Sequence, residues 1–322
     1  MVQLPNYLPL LDDNVMVCGI AQILKKSHEK SGLSCRQAGE LLGLSRDYYG
    51  KHLTRKGICS MKFLKGFQKC IDQTIFDKIY AIAGIEFTAR KKRLILPKNI
   101  SCELAYFVGY LQGDGCLTTD NKAVLFADEY FEQMIKMNNL SNALFGYAGS
   151  IYPKITAIST KPFYVLEIKS VVLNSFFHSV FGMNRGIKRN LRIPGLIKRD
   201  KELLRNYLPG LFDSDGTLPK NPDKAKQLFI DITFKEKEFI QEIKDSLLTF
   251  GIQTLKIFER VAKAPTGNFI SHTHELRIRQ KGMLLKFLLE IGFKHPDKAI
   301  RQEKMIDLLK TSRVRFELTT PS

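Results

Sequence analysis

Two carboxylates open the chemistry of this 322-residue chain. Asp114 stands in GYLQGDGCL and Asp215, 101 residues later, in GLFDSDGTL; each acid ends an apolar helical stretch and is followed directly by glycine. Small residues stand four apart before each acid, Gly109 and Gly113 in the first stretch, Gly210 and Ser214 in the second. Small side chains at that spacing leave a flat helical stripe along which two helices can approach closely. Packed there, the helices bring Asp114 and Asp215 side by side at the negative ends of two helix dipoles. Charge is unfavourable in that position unless cations fill it. Paired carboxylates with divalent ions between them are the core of a phosphodiester hydrolase, in which metal activates water and stabilises the leaving oxygen. Gly115 and Gly216 suit the left-handed residue that ends a helix.

Other metal and nucleotide chemistries fit less well. An EF-hand loop around Asp213, Asp215 and Gly216 would begin at Leu211 and end at Pro222, neither an adequate ligand. His272 and His274 share a strand face without an evident third ligand and read as surface residues. The six cysteines all precede residue 117 and contain no CxxC pair, so they read as reduced thiols rather than zinc ligands or a disulfide framework. No phosphate-binding loop, dinucleotide fingerprint or serine elbow is present.

The elements that must hold the acids repeat. After each acid come two short strands, a helix, two strands and a helix, in the same order. The first copy places strands near Leu117, Val124–Ala127, 150–156 and Phe163–Lys169, with helices near Glu129–Phe145 and Val171–Phe181. The second places strands near Thr217, Leu228–Phe234, Gln253–Arg260 and Thr273–Arg279, with helices near Lys235–Phe250 and Met283–Ile291. That is an internal repeat of about 100 residues and implies a pseudo-two-fold protein. Alternation along the strands gives each sheet one apolar face and one polar, partly cationic face. Lys154, Thr156, Lys169, Lys256, Arg260, Arg277 and Arg279 are the residues this alternation turns toward a ligand.

Residues 1–95 read as a mainly helical domain. In SCRQAGELLGLSRDYYGKHLTRKG, Ser34 caps one helix, Gly43 makes a turn and Ser45 caps a second, the cadence of a helix-turn-helix. Its second helix would show Arg46, Tyr48, Tyr49, Lys51 and His52, a surface suited to a DNA groove. TARKKRLILPKNIS reads as a basic linker. Fifty Lys and Arg against 32 Asp and Glu give a net charge of +18, which points to a polyanion partner. No run reaches the roughly 18 apolar residues a membrane span needs, and the N-terminus lacks the pattern of a signal peptide. A cytoplasmic protein, or one in the organellar or nucleoid compartment that holds its DNA, is expected.

FVGYLQGDG and LPGLFDSDG resemble the two nine-residue motifs of the LAGLIDADG homing endonucleases in their single-chain, two-motif form. The resemblance covers roughly residues 101–312. It implies an α+β fold of two pseudo-symmetric αββαββα repeats, residues 96–199 and 200–312, forming a saddle over double-stranded DNA, with a tail at 313–322. It implies that Asp114 and Asp215 bind the catalytic metal. RGIKRNLRIPGLI and GFKHPDKAIRQEK look like the family's lysine-bearing segments, which makes Lys188 and Lys298 the catalytic lysines. The expected function is a monomeric, site-specific DNA endonuclease that uses Mg²⁺, accepts Mn²⁺ in its place, and binds without cutting in Ca²⁺. It would cut both strands across the minor groove of a long asymmetric site, as part of intron or intein mobility. The alternatives are a non-cleaving DNA-binding regulator and an RNA maturase on the same fold. Two departures stand out. Gln112 replaces an acid frequent in the family, weakening that half, and Pro209 risks a kink in the second motif helix. The N-terminal region resembles an accessory DNA-binding region of archaeal inteins, but no splicing nucleophile or terminal His-Asn is present, so self-splicing is not expected.

Overall fold

The computed structural model describes residues 2–54, 58–89, 92–155, 162–263 and 270–317. Thr156, one of the residues assigned to the DNA face, lies outside them.

The N-terminal region contains β1 (Val2–Gln3), β2 (Met16–Cys18), α1 (Ala21–Ser31), α2 (Cys35–Leu41), α3 (Arg46–Thr54), β3 (Cys59–Ser60), α4 (Met61–Cys70), α5 (Ile75–Tyr80), β4 (Glu86–Ala89), β5 (Lys92–Ile95) and β6 (Asn99–Ile100). It is mainly helical, with a small antiparallel sheet of order β3-β2-β4-β5 that the sequence did not announce. The basic stretch expected to be a linker supplies β4 and β5, which pair with each other, so it is part of this body. Alternating apolar and charged residues there, Leu94 buried between exposed neighbours, carry a strand signal that the dense charge obscured. In the helix-turn-helix, Ser34 and Gln37 form a reciprocal capping box and Gly43 takes φ +66°. Arg46, Tyr48 and Lys51 are exposed, but Tyr49 is fully buried against His28 and is not on the presented surface.

The duplicated part follows. The first repeat is α6 (Cys102–Gly113), β7 (Gly115–Leu117), β8 (Val124–Asp128), α7 (Phe131–Phe145), β9 (Ser150–Lys154), β10 (Phe163–Ile168) and α8 (Val171–Phe181). A short α9 (Gly195–Lys198) leads to the second, which is α10 (Lys201–Asp215), β11 (Gly216–Thr217), β12 (Ile230–Phe234), α11 (Lys237–Thr249), β13 (Phe258–Lys263), β14 (Ile270–Ile278) and α12 (Lys281–Glu290). A closing helix, α13 (Pro296–Glu317), runs past the expected start of the tail. The two four-stranded sheets have the same order, β7-β8-β10-β9 and β11-β12-β14-β13, and every pairing in them is antiparallel. The strand expected from Gln253 begins only at Phe258.

Each repeat forms for legible reasons. Ser101, Ser170 and Asp200 cap α6, α8 and α10 through side-chain oxygens, and Gly146 and Gly182 end α7 and α8 in the left-handed conformation. Helices cover the apolar sheet faces, and Phe107, Phe126, Phe145, Phe176 and Phe177 make an aromatic core in the first repeat. That core is continuous with the N-terminal region, where Tyr7 meets Phe176 edge-on at 5.3 Å. Among the described residues no helix is long and apolar enough to cross a membrane.

Candidate functional site

The site is built where α6 and α10 cross. A methyl group at Gly109 would collide with the Tyr207 carbonyl oxygen, and one at Gly210 with that of Tyr106. The contact is reciprocal, as a two-fold axis requires. Farther down, a Cβ at Gly113 would meet Ser214 and the Asp215 carboxylate. The four small residues therefore line one interface and deliver Asp114 and Asp215 together at its lower end. Pro209 leaves α10 intact as a helix through residue 215, so the anticipated kink does not interrupt it. Gly115 and Gly216 are not left-handed, and Gly216 is extended at φ −73°. They are needed for space instead: a Cβ would lie 2.6 Å from the Leu111 carbonyl oxygen at Gly115 and 2.5 Å from that of Phe212 at Gly216. Each strand leaves its helix that sharply.

A second reciprocal pair locks the crossing. Tyr106 Oη donates to Asp213 Oδ2 at 2.7 Å, and Tyr207 Oη donates to Gln112 Oε1 at 2.7 Å. These tyrosines keep the 101-residue offset of the acids, a signal present in the sequence. Gln112 also donates to the Arg192 carbonyl at 2.7 Å, where Asp213 instead accepts from the Lys294 amide at 3.0 Å. The amide is thus hydrogen-bonded across the helix crossing as the acid is.

Electrostatics at the pair follow from burial and like charge. Asp114 opens onto a cleft of about 410 Å³, yet the protein around it displaces enough water, with Asp215 and Asp128 nearby, to push its pKa up to about 7. Burial also raises Asp215, against the opposing pull of Lys188, a Ser214 hydrogen bond and Lys298. Lys188 Nζ donates to the Gly113 carbonyl, and Lys298 Nζ to those of Phe212, Asp213 and Ser214 at 2.6–3.1 Å. Both ammonium groups are lowered by desolvation and held charged by the acids. The two lysines and two acids thus converge. Among the described residues neither acid forms an ion pair, and the two lysines only partly offset the burial that raises both acids and the like charge that adds to it at Asp114. Two hard carboxylates fit Mg²⁺, which binds through one or two acids plus substrate phosphates. No group of three or more His, Cys, Asp and Glu suited to a metal occurs among the described residues.

Sequence reasoning missed the supporting residues here. Asp128, at the end of β8, accepts from Tyr110 Oη at 2.6 Å and approaches His295 Nε2 at 3.3 Å. Burial alone would raise Asp128, but the hydrogen bonds from His295 and Tyr110 outweigh it and hold its pKa below the ordinary value. Nothing in the spacing announced that contact, because the partners are 167 residues apart.

The outer sheet faces carry the expected cations, but not all stand open. Arg277 pairs with Asp231 at 2.7 Å and Glu275 at 2.9 Å, Arg260 with Glu275, and Lys169 with Glu167 at 2.9 Å. Lys154, Lys256 and Arg279 are exposed and form no ion pair among the described residues. His272 is at the surface as expected and contacts Glu259 across the strands at 2.9 Å.

Residues 202–292 match the family model of the LAGLIDADG-like domain. Glutamine–fructose-6-phosphate aminotransferase of Methanocaldococcus jannaschii is 29% identical over 290 residues, covering 87% of this chain and 25% of that protein. The ribonucleoside-diphosphate reductase NrdEB subunit alpha of Bacillus subtilis is 31% identical over 163 residues, covering 47% of this chain and 15% of its own length. Replication factor C small subunit of Methanocaldococcus jannaschii is 27% identical over 218 residues, covering 68% and 11%. The chain spans a quarter or less of the length of these relatives. Among solved structures, full-length WhiA from Thermatoga maritima is similar with a TM-score of 0.43 and 20% identity, over 66% of this chain and 61% of that one. I-DmoI in complex with DNA and Mn is similar with a TM-score of 0.40 and 18% identity, over 61% and 99%.

Proposed function

We propose that this chain, whose residues 202–292 match the LAGLIDADG-like domain model, is a site-specific endonuclease that hydrolyses both strands of double-stranded DNA. The observation that carries this reading is the convergence of Asp114 and Asp215 with Lys188 and Lys298 at the crossing of the two motif helices. Two acids held together with their pKa values raised are costly to fold, and such perturbed groups cluster at sites that do chemistry.

Asp114 and Asp215 would hold divalent metal, Mg²⁺ or Mn²⁺, which supplies an activated water and stabilises the leaving oxygen. The chain's own residues do the rest. Lys188 and Lys298, fixed to the helix-end carbonyls, present ammonium groups beside the acids to orient phosphate oxygens and water. Lys154, Lys256 and Arg279 contact the DNA backbone on the two sheets. Arg260, Arg277 and Lys169, already oriented by acids, reach base edges or phosphates in fixed directions. With one half supplied by each repeat, a monomer suffices. The three relatives bear unrelated activities in their names and share with this chain only a minor part of their length. A match confined to a minor part of each of these differently named proteins fits an inserted genetic element, which supports intein or intron mobility.

The test is cleavage of a randomised plasmid library in Mg²⁺ with sequencing of the ends, beside Asp215→Asn. A discrete long site, cut by the parent and not by the variant, is expected. Tight duplex binding in Ca²⁺ with no cut ends in Mg²⁺ would instead make the protein a regulator, and preference for structured RNA a maturase.

A further inference from the structure

We propose that Asp12 is a positioning residue for Lys188, which makes the N-terminal region part of the first half's active centre; this rests on the endonuclease reading above. Lys188 sits in the irregular segment between α8 and α9, where no helix or strand ladder holds the backbone. A side chain there reaches the Gly113 carbonyl only if the segment is tethered. Besides the Gln112 bond to the Arg192 carbonyl beyond the lysine and that of His178 to the Met183 carbonyl before it, a group of tethers converges on Arg185, three residues before the lysine. Arg185 bridges to Leu117, the last residue of the strand that leaves Asp114, and the Gly186 amide donates to the Leu117 carbonyl at 2.7 Å. Its guanidinium donates to Asn174 Oδ1 at 2.8 Å and forms an ion pair with Asp12 Oδ2.

Asp12 is itself held from the first repeat. Its amide donates to Ser175 Oγ at 2.8 Å, and its carboxylate also accepts from Asn121 Nδ2. The pair is only 22% and 27% exposed, so solvent competes weakly for this charge-assisted hydrogen bond.

The second half offers a positional parallel with different residues, although Lys298 itself lies on helix α13. His295 precedes Lys298 by the same three positions and is held by Asp128 at 3.3 Å. That acid comes from the first repeat, as Asp12 comes from the N-terminal region. In each half, then, the basic residue ahead of the lysine is anchored by a carboxylate from outside its own repeat. Two arrangements that differ in residue type but agree in position point to a common task. Positional errors of about 1 Å at a catalytic group cost on the order of 10²-fold in rate, which is the scale a lost tether can reach.

The experiment has two readouts on the full chain. Hydrogen exchange compares parent, Asp12→Asn, Asp12→Glu and Arg185→Gln, following residues 182–190 and 292–298. Single-turnover nicking then resolves the two DNA strands, with Lys188→Met identifying the strand that Lys188 serves. Asp12→Asn and Arg185→Gln are expected to speed exchange in 182–190 alone. They should slow the Lys188 strand by about tenfold or more while the other stays within about twofold. DNA affinity in Ca²⁺ should be unchanged, and Asp12→Glu should recover much of the rate. Unchanged exchange at 182–190, or equal slowing of both strands, overturns the proposal. A parent that cuts neither strand overturns the endonuclease reading and the positioning role with it, while exchange still decides whether the tether exists.

Discussion

At Asp114 burial, with the neighbouring acids adding to it, carries an energetic penalty that pH and metal can read. Its pKa is about 7 in the folded chain against 3.8 for an ordinary aspartate. The folded state therefore binds more protons than the unfolded state between these values, and stability falls as pH rises through that window. In EDTA, Tm is expected to drop on going from pH 5 to pH 7.5, on the order of 2–4 °C because solvent reaching the open carboxylate screens the effect. Asp114→Asn should flatten this pH dependence, and Mg²⁺ should restore the parent's Tm at pH 7.5. A thermal melt series checks all three, and a parent Tm independent of pH and Mg²⁺ would remove the argument for a cation between the acids. The acids themselves were legible because each stands at a fixed place in a repeated phrase. Asp128 and His295 were not, since a contact across 167 residues leaves no local pattern.

At the scale of elements, the crossing of α6 and α10 depends on the absence of side chains. Gly109→Ala and Gly210→Ala each push a methyl group into the other helix's backbone, which has no rotamer to yield. Each is expected to lower unfolding free energy by about 3 kcal/mol or more, the upper end of overpacking penalties. Gly195→Ala is the control: nothing lies within 4 Å of its Cβ position, and its effect should stay within about 0.5 kcal/mol. Urea midpoints distinguish the cases, and tolerance of alanine at both interface positions would mean the helices do not cross there. The spacing of small residues foretold this interface. The role of Gly115 and Gly216 was misread, because helix-end glycines usually serve a left-handed turn and here serve a sharp exit.

For the whole molecule, the net charge of +18 predicts binding that weakens steeply with salt. The exposed Arg46 and Lys51 of α3 make a defined part of that prediction. If they touch phosphates, Arg46→Ala and Lys51→Ala should each reduce the slope of log K against log salt by about 1. Fluorescence titration across salt concentrations measures it, and unchanged slopes would place α3 away from the DNA. Substitution suits this test better than truncation, because the N-terminal region shares its core with the first repeat and holds Arg185 through Asp12.

The linear order of residues determined the duplication, the two acids, the stripe of small residues and the alternation of the strands. All of these are local or periodic, and backbone geometry turns such patterns directly into helices, sheet faces and helix ends. Tertiary structure alone decided which charges are spent on one another. Arg260, Arg277 and Lys169 meet acids, whereas Lys154, Lys256 and Arg279 form no ion pair among the described residues. It also decided that a basic stretch contributes to two paired strands and that Asp12 reaches the segment carrying Lys188. Those outcomes depend on which distant segments the packed core brings within a few ångströms, and no periodicity in the chain encodes that distance.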